Sequence, residues 1–321
     1  MTDDDERELF EGTLRRACGS ARGAALDAAL DGLGWHEALS VDPRLAVSSL
    51  FELLGVTNAT ASAIDAVVTS TLGLKTDPST GTVLPALGRW APPGRVAGKS
   101  LMVRGVGVGS LADAATAWVV ADTGESPLAV EVATSDLTLR AVRGVDPGLG
   151  LVEVTADALP VAASHRLEPD LWARSVALAQ LALAHELVGA SKAMLELALG
   201  HARERVQFDR PIGSFQAVRH RLADTLVSTE ATVSALESAW DDGSPASAAW
   251  AKALAGRSAR TATRHCQQVL AGIGFTTEHD FHHYVRRVLV LDQLFGTERA
   301  LTRELGRDLL ATRRLPPLPP L

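Results

Sequence analysis

The sequence predicts an α+β fold, mostly α, with an N-terminal helical domain, a small antiparallel β domain and a C-terminal four-helix bundle. Three observations carry this. Residues 1–75 and 166 to about 313 place apolar residues at three-and-four spacing, the period of a helix with one buried face. Residues 76–165 instead show short apolar or alternating runs cut by Pro/Gly clusters. No helix-length segment separates those runs, which argues against a parallel sheet built on helical crossovers.

In the first region, Asp3 to Glu6 suit a helix start, where carboxylates complement exposed amides and the positive dipole end. Gly32-Leu33-Gly34-Trp35 interrupts the pattern. A short helix is expected over Leu45 to Leu54, ended by Gly55. In the middle region, Asp77-Pro78-Ser79-Thr80-Gly81, Ala91-Pro92-Pro93-Gly94 and Asp146-Pro147-Gly148 mark turns. Between them, Ser100 to Val108, Trp118 to Ala121, Leu128 to Val132 and Leu151 to Val154 read as strands. In the last region, Val176, Leu183, Leu187, Ala190, Met194 and Leu197 form one stripe, thinned at Gly189, Ala190 and Ser191 for close helix approach. Gly243-Ser244-Pro245 divides two further long helices. The tail Arg314 to Leu321, with its repeated Pro-Pro pairs, ends the helical pattern and reads as a packed or frayed terminus.

Composition narrows the function classes. The 321 residues are 46% hydrophobic and 21% charged with a net charge of −7, as in a globular protein. Cys18 and Cys266 are too few for a disulfide framework or a metal-ligand pairing. No uncharged apolar run reaches the ~18 residues of a membrane span. An aromatic content of 4% argues against a nucleic-acid binder that works by stacking. The acidic start Met1-Thr2-Asp3-Asp4-Asp5-Glu6 lacks the basic and apolar parts of a secretory signal, so a cytoplasmic location is expected.

Several stretches invite chemistry. Gly105-Val106-Gly107-Val108-Gly109 suggests a dinucleotide loop, but Ser110 stands where the third glycine belongs, so a bent strand is the better reading. Glu278-His279-Asp280-Phe281-His282-His283 holds potential metal ligands, but no distant matching cluster completes them, and polar packing is expected. More informative is His201 to Gln216, a helix-turn-helix corner. Between 201 and 221 lie five arginines against two acids, a local excess suited to phosphate or pyrophosphate. A solvated corner with surface ion pairs explains the same composition. Residues 251–277 contain no Asp or Glu but include Lys252, Arg257, Arg260 and Arg264. There Gly272 and Gly274 would admit a ligand close to the backbone, and Gln268 could bond to ribose or base edges. A helix C-cap followed by a loop is the structural alternative.

Two motifs together resemble the acyl-CoA dehydrogenase family. One is Arg203-Glu204-Arg205-x-Gln207-Phe208-x-x-Pro211-Ile212-x-x-Phe215-Gln216 with Leu222-Ala223-Asp224 after it. The other is Gln268-x-Leu270-Ala271-Gly272-Ile273-Gly274-Phe275-Thr276-x-Glu278-His279, followed by Arg286-Arg287. Leu33-Gly34-Trp35 is similar to a motif of the family's N-terminal domain. The resemblance implies a helical domain, a β domain and a four-helix bundle, with FAD lying across a subunit interface. On that pattern Arg205, Gln207, Phe208, Gln216, Gln268 and Gly272 would clasp the pyrophosphate, ribose and adenine.

The same resemblance exposes what is missing. The family's flavin-lining Thr-Glu and Gly-Ser-Asp segments have no counterpart between 76 and 165. Its catalytic Glu lies in a Tyr-Glu-Gly-Thr segment or on the first bundle helix. Here those positions are Phe295, within Leu294-Phe295-Gly296-Thr297, and Ala179, followed by Gln180 where the family has Arg. Neither Phe nor Ala can accept a proton. Glu186 and Glu298 are the nearby carboxylates that could substitute.

The resemblance therefore implies a shortened, non-catalytic β-type subunit of an α2β2 steroid side-chain acyl-CoA dehydrogenase. A paralogous partner would supply the flavin pocket, the base and the acyl-CoA pocket, and an electron-transfer flavoprotein would take the electrons. Two alternatives stay open: a self-sufficient homo-oligomeric flavoenzyme using Glu186, and a scaffold subunit without FAD contact.

Overall fold

The computed structural model describes residues 3–74, 79–161 and 163–313. Five helices come first: α1 (Asp3–Ser20), α2 (Ala24–Gly32), α3 (Trp35–Val41), α4 (Pro43–Thr57) and α5 (Ala63–Leu72). Gly34, at φ 72°, turns the chain between α2 and α3. Trp35 is then buried, and its indole N–H donates to the Ala46 carbonyl at 3.0 Å, fastening α3 to α4. Asp42 caps α4 by accepting from the Leu45 amide at 3.0 Å, and Pro43 takes the first helical position.

The expectation that Gly55 ends α4 is corrected: the helix continues to Thr57, and left-handed Asn58 caps it. Gly55 is a contact residue instead. A Cβ there would overlap the Glu186 carbonyl, and one at Gly189 would overlap the Glu52 carbonyl. The two glycines let α4 and the first bundle helix pack backbone to backbone.

The middle region holds β1 (Thr80–Pro85), β2 (Gly94–Ala97), β3 (Ser100–Gly107), β4 (Thr116–Asp122), β5 (Leu128–Ala133), β6 (Thr138–Ala141), β7 (Val152–Pro160) and β8 (Ala163–Arg166). They form one sheet in the order β6-β7-β3-β1-β4-β5-β8, with β2 against β3 and β4. The pairing is antiparallel as expected, except that β4 runs parallel to both β1 and β2. No α-helix makes those connections. Gly105 and Gly107 lie in β3 where a Cβ would strike the Leu84 carbonyl and Leu111, so these glycines serve packing.

The last region contains α6 (Leu171–Glu204), a short hairpin of β9 (Val206–Gln207) and β10 (Arg210–Pro211), then α7 (Gln216–Asp242), α8 (Pro245–Leu270), α9 (Phe281–Leu291) and α10 (Glu298–Thr312). Where four long helices were expected, three long helices are joined by two shorter ones. The bend at 292–297 that separates α9 from α10 sits between two apolar faces, which periodicity alone reads as continuous. Ser244 accepts from the Ser247 amide at 3.2 Å and Pro245 opens α8, as its sequence suggests. The proline-rich tail from Arg314 lies outside the described residues. One apolar core runs from the N-terminal helices into the bundle, and a second fills the inside of the sheet.

Candidate functional site

The C-terminus of α6, the N-terminus of α7 and the C-terminus of α8 meet at one end of the bundle. His265 Nδ1 lies 3.2 Å from the Arg221 carbonyl and 3.4 Å from Thr225 Oγ1, so the end of α8 lies beside the start of α7. This end carries all six residues that the sequence nominates for a cofactor. Arg205, Gln207, Phe208, Gln216, Gln268 and Gly272 are all exposed.

The β9–β10 hairpin presents them. Its two turn residues, Phe208 and Asp209, both take positive φ (54° and 61°), the twist a two-residue hairpin prefers but side chains resist. The turn leaves Phe208 85% exposed, its ring edge-on to Phe215 at 6.1 Å. Arg210 stacks over Phe215 at 4.2 Å. The Gln207 amide donates to its own neighbour's carbonyl, Val206 O, at 2.7 Å. Among the described residues no ion pair engages Arg205, Gln216 or Gln268. Their donors are therefore available to an external anion or a polar ring.

Two parts of the sequence reading are corrected here. Neither glycine caps α8: Ala271 takes the positive φ of 50°, Gly274 packs against Gln267, and only Gly272 faces open space. The positive charge of 251–277 is also smaller at the surface than its composition suggests. Lys252 is fully buried, its ammonium donating to the Leu291 carbonyl at 3.1 Å, and burial lowers its pKa to about 8. Arg260 is paired with Asp292. Arg257 and Arg264 are the residues of that stretch that stay exposed without an ion pair among the described residues.

The base positions lie elsewhere, on two segments that one hydrogen bond joins. The Gln180 amide donates to the Phe295 carbonyl at 3.0 Å, joining α6 to the 292–297 bend. Ala179 and Phe295 are buried, at 0% and 1% exposure. The segment after β1 closes over them. Gly88 N donates to Gln293 O at 2.7 Å, a Cβ on Gly296 would press on the Trp90 ring, and the Trp172 indole donates to Trp90 O at 3.0 Å. Phe295 itself holds φ at 53°, a conformation costing ~1 kcal/mol that the surrounding hydrogen bonds sustain. Neither Ala179 nor Phe295 offers a proton acceptor in this buried junction.

The two substitute carboxylates are both engaged. Glu186 is buried and lies 3.3 Å from Arg287 Nη1. Arg287 also donates to Asp146 at 2.7 Å and to the Ala59 carbonyl at 2.7 Å, so this group ties the bundle to the sheet and to the loop before α5. Burial raises the Glu186 pKa to about 7, although Arg287 opposes the shift. Glu298 begins α10; its carboxylate lies 4.0 Å from Arg260 Nη2, and its backbone N–H donates to Asp292 at 3.0 Å. Arg287, Asp146, Asp292 and Trp90 escape sequence reasoning, because their partners are separated by tens of residues and follow no local spacing.

Residues 173–310 match the family described as acyl-CoA dehydrogenase, C-terminal domain. The bundle is similar to the acyl-CoA dehydrogenase C-terminal domain. Over 130 residues the chain is 38% identical to acyl-CoA dehydrogenase IpdE2 of Mycobacterium tuberculosis, covering 40% of this chain and 41% of that protein. Over 213 residues it is 33% identical to acyl-CoA dehydrogenase FadE34 of the same organism, covering 59% of this chain and 29% of the relative. The matched part thus spans less than half the length of these curated relatives. Solved structures extend the likeness to the whole fold. The steroid ACAD Tcur3481–Tcur3483 (G363A variant) superposes with a TM-score of 0.78 at 23% identity, covering 97% of this chain and 99% of that one. The ChsE4–ChsE5 complex of Mycobacterium tuberculosis gives 0.76 at 22% identity, covering 99% of both chains. The acyl-CoA dehydrogenase fold therefore holds across the helical region, the sheet and the bundle.

Proposed function

We propose that this chain is the FAD-clasping subunit, itself without a base, of a heteromeric acyl-CoA dehydrogenase that forms an α,β double bond in a steroid side-chain or other bulky acyl-CoA. One contrast supports the reading above all. The bundle end matching the family's ADP-binding motif is open and lined by unclaimed donors, while both base positions are apolar and buried, on segments joined by the Gln180–Phe295 hydrogen bond.

The residues fit the ADP half of FAD. Arg205 offers a planar fork of donors to the pyrophosphate. Gln207, Gln216 and Gln268 carry amide donors and acceptors for ribose and adenine edges. The exposed Phe208 ring offers a stacking face, and Gly272 leaves its backbone open to close approach. When bound, FAD supplies the hydride acceptor that the side chains of this protein lack. Removal of the substrate α-proton falls to a partner, since no carboxylate of this chain occupies either base position.

The partner is a paralogous catalytic subunit in an α2β2 assembly, with the acyl-CoA in its pocket and an electron-transfer flavoprotein as electron acceptor. The steroid class is carried over from the relatives, two of which are a steroid acyl-CoA dehydrogenase and a two-protein complex. Steady-state oxidation of a steroid side-chain acyl-CoA, followed with an artificial electron acceptor, tests the assignment. Activity is expected from the co-expressed pair and not from this chain alone. Full activity from this chain alone would overturn it, and an Arg205→Ala complex with unchanged FAD and activity would reduce the chain to a scaffold.

A further inference from the structure

Between the sheet and the bundle a buried cation faces two carboxylates. Arg287 of α9 donates from Nε to Asp146 at 2.7 Å and from Nη1 to Glu186 of α6 at 3.3 Å, and Nη1 also donates to the Ala59 carbonyl at 2.7 Å. Arg287 and Glu186 are buried, and Asp146 keeps only 11% of its side chain exposed. With both carboxylates ionised the cluster carries a net negative charge out of water, which a single guanidinium cannot offset. A proton on one carboxyl restores neutrality. Glu186 takes it: its contact with Arg287 is the longer of the two, and burial raises its pKa to about 7.

The three members differ in their freedom to move. Glu186 sits inside α6, against Gly55 of α4, and Arg287 sits inside α9. Asp146 belongs to the irregular segment 142–151 between β6 and β7, where Arg143, Gly144, Val145, Pro147 and Gly148 are exposed. Val145 holds φ at 28°, a conformation that a β-branched residue resists, so the backbone beside Asp146 is kept under strain. The other charged groups on elements packed against α6 are engaged elsewhere: Arg44 with Asp241, Glu52 with Lys192, Lys252 with backbone carbonyls and Arg260 with Asp292. Asp65 of α5 accepts from the Thr82 amide. His185 is bonded to Trp240 and Tyr284 to the Val56 carbonyl. Glu230 and Glu237 of α7, Arg257 and Arg264 of α8, and His283 and Arg286 of α9 are exposed. The charges that act on the Glu186 carboxyl are therefore those of Arg287 and Asp146.

We propose that Glu186, Arg287 and Asp146 form a proton-controlled latch. With Glu186 neutral, the guanidinium holds Asp146 and the 142–151 segment against the bundle. Ionisation of Glu186 turns the guanidinium toward α6, and the strained segment leaves with Asp146, because the other two members are fixed in helices. The sign follows from linkage. Once Asp146 has left, Glu186 faces Arg287 without a competing carboxylate and gives up its proton more readily, so rising pH favours the released state. The segment joins β6 to β7, so the latch makes the seam between sheet and bundle sensitive to pH near neutrality. None of the three residues belongs to the FAD clasp or to the two base positions, so the inference does not depend on the proposed function.

Amide hydrogen exchange of the full chain, resolved by mass spectrometry, tests the latch. Within the segment the Leu149 and Gly150 amides donate to the Asp146 and Pro147 carbonyls, and their exchange reports its release. Dividing the wild-type rate by that of Glu186→Gln at each pH cancels the intrinsic pH dependence of exchange. Labelling times are kept short enough that the amides of α8 remain protected, which separates local release from global unfolding. Over 142–151 the ratio is expected to rise about tenfold between about pH 6 and about pH 8.5. Asp146→Ala should exchange at the released rate at both pH values, and adding Glu186→Gln to it should change nothing, with circular dichroism unchanged in every variant. A flat ratio, a pH step that survives in Asp146→Ala, or a rise that comes only together with exchange of α8 would each overturn the latch.

Discussion

Two regions of the same bundle have opposite characters. At the 292–297 bend, Phe295 and Ala179 are buried, and hydrogen bonds are claimed by Gln180, Lys252 and Trp172. At the other, Arg205, Gln216 and Gln268 stand exposed with their donors unclaimed. Burial is favourable when every polar group inside is satisfied, and the bend satisfies its groups internally. The clasp forgoes that stabilisation and holds Phe208 and Asp209 at positive φ, an arrangement that serves the fold little. The difference is between a junction that satisfies its polar groups internally and a surface whose donors face solvent.

The largest expected effect comes from forcing the packed region to resemble a catalytic one. Phe295→Glu would bury a carboxylate in a junction where the Lys252 ammonium is already committed to the carbonyls of Leu291, Asp292 and Gly296, and urea unfolding should show a loss of about 3 kcal/mol or more. It should not give this chain activity of its own.

Glu186→Gln tests the remaining carboxylate. Because burial raises its folded pKa to about 7 from a usual 4.5, the unfolded chain releases that proton first as pH rises. Its contribution is therefore fully present below about pH 4.5 and lost as pH rises through about 7. Stability of wild type relative to Glu186→Gln should fall across that window, by an amount on the order of 2 kcal/mol, in denaturation at several pH values. A Glu186 acting as base would instead make activity of the pair vanish in the Gln variant.

On the open side, Arg205→Ala should weaken FAD retention by the co-expressed pair about tenfold in equilibrium dialysis, while unfolding changes by less than about 0.5 kcal/mol. The smallest effect is expected from Asp209→Gly. Relief of the left-handed residue should raise stability by about 0.5 kcal/mol without altering FAD content, unless Asp209 itself touches the ligand.

Much of this was legible in the sequence, for physical reasons. Apolar periodicity located the helices, Pro/Gly clusters located the sheet region, and Ser244-Pro245 marked the start of α8. The six residues proposed for FAD lie within two short contiguous motifs, and the structure places them at one exposed end of the bundle. Gly55 was misread because a glycine that ends a helix and one that admits a neighbouring backbone look alike without the partner. The bend between α9 and α10 was hidden by apolar residues on both sides. Arg287 could not be assigned, since Asp146, Ala59 and Glu186 converge on it from three distant segments. Lys252 looked like surface charge until its buried acceptors at 291, 292 and 296 were placed.

Flavin content measured against subunit composition tests the central claim most directly. Native mass spectrometry of the co-purified complex, with absorbance of the released flavin, should give an α2β2 assembly with one FAD per αβ pair and none on this chain alone. One FAD bound per copy of this chain in a homo-oligomer that oxidises acyl-CoA would contradict it.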